Sequence, residues 1–100
     1  MSIDIHRNAV AHGWWETDRC YGELIALVHS ELSEALESFR EDNPPDKHLP
    51  QFDGAVVELA DAVIRIMDMA EAHGWPLAEA ICAKHEYNKT RTMKHGGKLF

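Results

Sequence analysis

Leu27-Val28-His29-Ser30-Glu31-Leu32-Ser33-Glu34-Ala35-Leu36-Glu37 and Glu58-Leu59-Ala60-Asp61-Ala62-Val63-Ile64-Arg65 decide how this chain reads. Each segment sets two carboxylates three residues apart inside an apolar helical pattern. Positions three apart are neighbours on a helix surface, so Glu31 and Glu34 share a space, as do Glu58 and Asp61. At about 100° per residue, Leu24, Leu27, Val28, Leu32, Ala35 and Phe39 form one face, and Glu31 falls within it. Glu34 lies at its margin, while Glu37 and Glu41 lie where solvated charges belong.

Working outward, the pattern predicts four helices and an all-α fold. Residues 2–12 make a short first helix with Ser2 as a plausible N-cap, ended by Gly13. Trp14 and Trp15 follow, and adjacent tryptophans cannot both enter one core. The second helix spans about 21–41. Asn43-Pro44-Pro45-Asp46 breaks it, and a loop runs to about Leu49-Pro50. The third spans about 51–73 and reads as the longest, apolar nearly all round except for a stripe of Glu58, Asp61, Arg65 and Asp68. Such a helix is expected at the centre of a bundle or of an interface. Arg65 is expected to pair within its own helix, with Asp61 and Asp68, in preference to the alternative of a phosphate contact. His73-Gly74 closes this helix and Trp75-Pro76 opens a fourth, about 76–91. On that last helix Leu77, Ile81, Lys84, Asn88 and Arg91 share a face that begins apolar and ends basic. The tail from Lys94 to Phe100 is basic and contains glycine. There is no internal repeat and no period-two strand pattern.

Composition narrows the classes. One hundred residues, 45% hydrophobic and 27% charged, are one soluble domain with a small core. An oligomer, a homodimer or homotetramer, would relieve that shortage. The net charge of -7 argues against non-specific binding to nucleic acid or to anionic membranes. No apolar run is long enough for a membrane span. The N-terminal Met-Ser-Ile-Asp-Ile-His lacks a basic n-region and an apolar h-region, so a cytoplasmic chain is expected. Cys20 and Cys82 form no CxxC pair and are expected to be reduced and semi-buried. The seven histidines do not group on one helix, which disfavours a transition-metal site.

Four carboxylates converging between two helices repel one another, and burial raises their pKa values. A divalent cation removes both penalties, and all-oxygen ligation suits Mg²⁺ or Mn²⁺. Glu31, Glu34, Glu58 and Asp61 are therefore the candidate metal ligands and catalytic residues. Mg²⁺ commonly takes substrate phosphates into its shell. Lys84, Asn88 and Arg91, with Lys94 behind them, are candidate contacts to a polyphosphate. Trp15 and Trp14 are candidate platforms for a base.

At these residues the sequence resembles the MazG-like branch of the all-α nucleoside triphosphate pyrophosphohydrolases. That family carries EExxE, a spacer and ExxD; here Ser30-Glu31-Leu32-Ser33-Glu34 and Glu58-Leu59-Ala60-Asp61 match. The likeness covers about residues 20–98 of a single domain, 1–100. Ser30 replaces the first glutamate, but the family's metal ligands match Glu31 and Glu34. The resemblance implies a four-helix-bundle-like oligomer whose sites can borrow residues from a second subunit. It also implies Mg²⁺-dependent hydrolysis of (deoxy)nucleoside triphosphates at the α–β bond, giving the monophosphate and pyrophosphate. The family's base-stacking tryptophan best matches Trp15, then Trp14. The alternative is a non-catalytic helical oligomerisation module whose acidic stripe is merely solvated.

Overall fold

Hydrophobic spacing, breakers and caps translate into four helices in the computed structural model, which describes residues 1–91: α1 (Ser2–Ala11), α2 (Tyr21–Arg40), α3 (Gly54–His73) and α4 (Leu77–Thr90). No strand occurs among the described residues; Pro45 and Asp53 make one isolated bridge inside a loop. No described helix is long and apolar enough to cross a membrane. The all-α expectation holds, and the predicted helices match within a few residues. Lys94 lies outside the described residues.

The core lies between α2 and α3. Leu24, Val28 and Ala35 of α2 meet Ala62, Met69 and Ala70 of α3, all below one-tenth exposed. Leu24, Val28 and Ala35 belong to the predicted stripe of α2, but its other members do not all follow: Leu27 is half-buried, and Leu32 and Phe39 are exposed. α1 packs on α3 and buries none of its own side chains completely.

Five expectations require correction. α3 is not the longest helix: α2 and α3 each have 20 residues. Nor is α3 enclosed, since Val56, Leu59, Val63 and Ile64 remain exposed. The four-helix bundle does not close within the single chain. α4 buries no residue and makes no substantial packing with α2 or α3 among the described residues. Its weak amphipathic pattern, apolar then basic, offers too little apolar area for docking. Cys20 and Cys82 are exposed rather than semi-buried. Met1, not Ser2, is the N-cap of α1, with no side-chain cap bond.

Local geometry explains where the helices stop and how they are joined. Gly13 takes a φ of 83°, reached cheaply only without a Cβ. Its N–H donates to the Val10 carbonyl and the next N–H, of Trp14, to that of Ala9. This is a Schellman closure, and it sets Trp14 directly past the end of α1. The same pattern recurs at Gly74, with Trp75 N–H donating to the Ala70 carbonyl. Between α2 and α3 the loop is tied to itself. Asn43 Oδ1 accepts from the Ala55 N–H at 2.9 Å, and Gly54 N–H donates to the Pro44 carbonyl at 2.7 Å. Asp46 Oδ2 accepts from the His48 and Leu49 N–H groups.

Candidate metal centre

α2 carries Glu31 and Glu34 on successive turns, and α3 brings Glu58 and Asp61 against them. Glu31, Glu34 and Glu58 each place an oxygen within 4.8 Å of the other two. Glu31 is buried, at 8% exposure, as its position in the apolar stripe predicts. Glu58 is half-buried and Glu34 exposed. Asp61 stands beside Glu31 on the wall of the neighbouring cavity rather than within the group of three.

The electrostatics are those of carboxylates forced together. The Glu34 carboxyl lies against Glu58, and a hydrogen bond between two carboxyl groups needs a proton on one of them. This contact, then burial, then the charges of Glu34, Glu31 and Asp61, push Glu58 up to about 7. Two acceptors make no hydrogen bond without that proton, and Glu58 Oε2 is buried with no donor facing it. Glu31 is also raised, chiefly by burial, with Arg65 opposing the shift and Asp61 and Glu34 adding to it. A buried, donorless carboxylate oxygen beside two more carboxylates fits a hard divalent cation, which takes oxygen ligands. Mg²⁺ and Mn²⁺ both suit this donor set.

Arg65 differs from its expected role. Its Nη2 lies 3.7 Å from Glu31 Oε1, so it pairs across to α2. Periodicity shows which face a side chain occupies, not which neighbouring helix it reaches.

A cavity of about 600 Å³ opens beside the carboxylates, between α1 and the α2–α3 pair. Trp14, Glu31, Asp61, Arg65 and, from α1, Asp4 and Asn8 lie on its wall. The Arg19 guanidinium sits 3.7 Å over the Trp14 ring and that of Arg65 at 5.3 Å. Trp15 is turned elsewhere, its indole N–H donating to Asp68 at 2.9 Å. Of the two tryptophans, Trp14 is therefore the one on the cavity wall.

Lys84, Asn88 and Arg91 are not brought to the carboxylates within the chain. Lys84 and Asn88 border a separate open cavity on α4, and the Lys84 ammonium lies 4.7 Å over the Tyr87 ring. Arg91 also approaches that ring, and Asn88 Oδ1 is buried without a hydrogen-bond partner among the described residues.

Sequence reasoning missed Asp68. It is 6% exposed and accepts from Trp15 and from His6, whose Nδ1 lies 2.7 Å away. The signal was present: a carboxylate within Ile66-Met67-Asp68-Met69-Ala70 has apolar residues on both sides. Ser30, in place of a glutamate, is exposed and donates its hydroxyl to the Leu27 carbonyl at 2.7 Å. It leaves the three-carboxylate group untouched.

Comparison of the chain with protein-family models, with curated protein sequences and with solved structures found no significant match.

Proposed function

We propose that the protein is a Mg²⁺-dependent hydrolase of (deoxy)nucleoside triphosphates, of the MazG-like kind, giving a monophosphate and pyrophosphate. The observation that carries this reading is the donorless, buried Oε2 of Glu58 facing Glu31 and Glu34. Two acidic motifs supply that constellation, and it has a cavity beside it. Glu31, Glu34 and Glu58 would hold the ion, with Asp61 alongside, and Mn²⁺ would suit the same donors. When bound, the ion polarises a phosphoryl oxygen and lowers the pKa of a water.

The chain's own groups do the rest. Trp14 offers an aromatic wall for the base, and Trp15 holds the turn that carries it. Glu34, the exposed member of the group, accepts the proton of the attacking water. The water oxygen bonds to the α-phosphorus as the bond to the bridging oxygen breaks, and pyrophosphate leaves. Lys84, Asn88 and Arg91 act from α4 of a second copy in a homodimer or larger assembly, where Lys84 and Arg91 neutralise the leaving phosphates and the neutral Asn88 amide offers a hydrogen bond. The exposed stripes Leu32, Leu36 and Phe39 on α2, and Val56, Leu59 and Val63 on α3, support that assembly.

The test is direct. Each (deoxy)nucleoside triphosphate is incubated with the protein and Mg²⁺, and monophosphate and pyrophosphate are measured. Turnover of none of them overturns the reading, and orthophosphate as the first product makes the protein a phosphatase instead. The same exposed stripes favour a second reading, a non-catalytic oligomerisation module. In that case Glu58→Gln leaves assembly intact and no Mg²⁺ binding exists to lose.

A further inference from the structure

We propose that Arg65 is a resident counter-ion of the carboxylate group, handed over to a phosphate of the ligand when a divalent cation occupies the group. This rests on the metal-polyphosphate reading above and adds a residue and a coupling to it.

Geometry makes the Arg65–Glu31 pair exchangeable. At 3.7 Å it is a single contact, well beyond the roughly 2.7–2.9 Å of a tight charge-assisted bond. The glutamate side chain is 10% exposed and that of the arginine 32%, so the carboxylate is the deeper partner and the guanidinium borders the opening. A doubly charged ion between Glu31, Glu34 and Glu58 supplies more positive charge at shorter range, and makes the arginine redundant there. The released guanidinium has support at hand, because the Trp14 ring centroid is 5.3 Å away. Asp68 is already engaged, since its oxygens accept from His6 and Trp15.

The surroundings fix what the freed charge meets. Arg65 is the one Lys or Arg among the described residues on the wall of the cavity, and it stands opposite acidic side chains. A polyphosphate entering without a cation meets Asp4, Glu31, Asp61 and Asp68 on that wall, and an arginine already occupied. Once the cation is bound, the same arginine is available, and it suits bidentate phosphate contact. Cation and polyphosphate therefore promote one another's binding, reciprocally.

Calorimetry on the full chain tests this with Mg²⁺ alone, and with inorganic tripolyphosphate in the absence and presence of Mg²⁺. Arg65→Met is expected to bind Mg²⁺ alone about fivefold more tightly, and to bind tripolyphosphate in saturating Mg²⁺ about tenfold or more weakly. Arg65→Lys falls between, and circular dichroism checks that both variants keep the helical fold. Weaker Mg²⁺ binding by Arg65→Met, or unchanged tripolyphosphate binding, overturns the hand-over. If the wild-type protein hydrolyses nucleotides while either of those results is found, this inference alone fails. If the wild-type protein takes up no Mg²⁺, both fail.

Discussion

The indole N–H of Trp15 donates to both carboxylate oxygens of Asp68, at 2.9 and 3.1 Å, and so ties the turn after α1 to the C-terminal half of α3. His6 completes the clasp from within α1. A carboxylate only accepts, so the His6 Nδ1 carries the proton when Asp68 is ionised. Since α1 buries none of its own residues completely, this polar clasp holds the wall of the cavity in place.

Removing the acceptor leaves two donors unanswered. Asp68→Ala is expected to cost about 2–4 kcal/mol, read as a lower urea midpoint. Asp68→Asn keeps one acceptor oxygen and is expected to lose about half as much. Equal midpoints for Asp68→Ala and the wild type would show that the clasp contributes nothing.

Glu58 sets a pH dependence with a definite sign. Its folded value near 7 lies above the ordinary 4.5, so the folded metal-free chain holds a proton that the unfolded chain has released. The corresponding stability is fully present below about 4.5 and is lost as the pH rises through about 7. Chemical denaturation of the metal-free protein from pH 4.5 to pH 8 is therefore expected to fall across this window, and to flatten in Glu58→Gln. On the proposed function, Mg²⁺ affinity is expected to run the opposite way, rising over the same interval because a bound ion would displace the proton; titration calorimetry across the window checks this.

Gly54 tests the contact between the loop and α2. A Cβ there would stand 2.5 Å from Ser38 Oγ and 3.1 Å from the Pro44 carbonyl oxygen. Alanine is the better helix former by about 1 kcal/mol. The overlap is nonetheless expected to win, with Gly54→Ala losing about 1–2 kcal/mol in thermal denaturation. Adding Ser38→Ala is expected to recover part of that loss, because it removes the nearer clash while leaving the carbonyl.

The open apolar stripes predict association. Sedimentation velocity is expected to show a species heavier than the 11.3 kDa chain. Burying one large apolar side chain contributes about 1.5–3 kcal/mol, so Phe39→Glu or Val63→Lys is expected to weaken association at least about tenfold. A wild-type monomer at high concentration would refute the assembly.

Much of this architecture was legible in the chain, for reasons that particular residues make plain. Helix period exposed Glu31 as a carboxylate on an apolar face, and it is buried. Gly13, Gly74 and the Pro44-Pro45 pair marked where helices end. Partnership across helices was not legible. Period assigns a face but no register between helices, so Arg65 was matched to its own helix rather than to Glu31. Asp68 reads only as one more member of the polar stripe of α3 for the same reason, although its apolar neighbours set it apart. Neighbouring tryptophans differ by about 100° around any helical turn, and only the Schellman closure at Gly13 decides that Trp14 borders the cavity. The standing-off of α4 was equally hidden, because weak amphipathicity does not reveal whether a helix finds its partner in its own chain.

The self-tied loop between α2 and α3 acts as a ruler. Asn43, Pro44 and Gly54 lock the end of one helix to the start of the next. They thereby determine which turn of α3 lies opposite Glu31 and Glu34. One residue inserted within that lock would advance Glu58 by about 1.5 Å and swing it through about 100°. Three converging oxygens would become two and a bystander. Residues 47–51 lie outside those ties to the helix ends, so length changes belong there. Loops are ordinarily where a chain tolerates drift in length; in this one the permitted drift is confined to its tip.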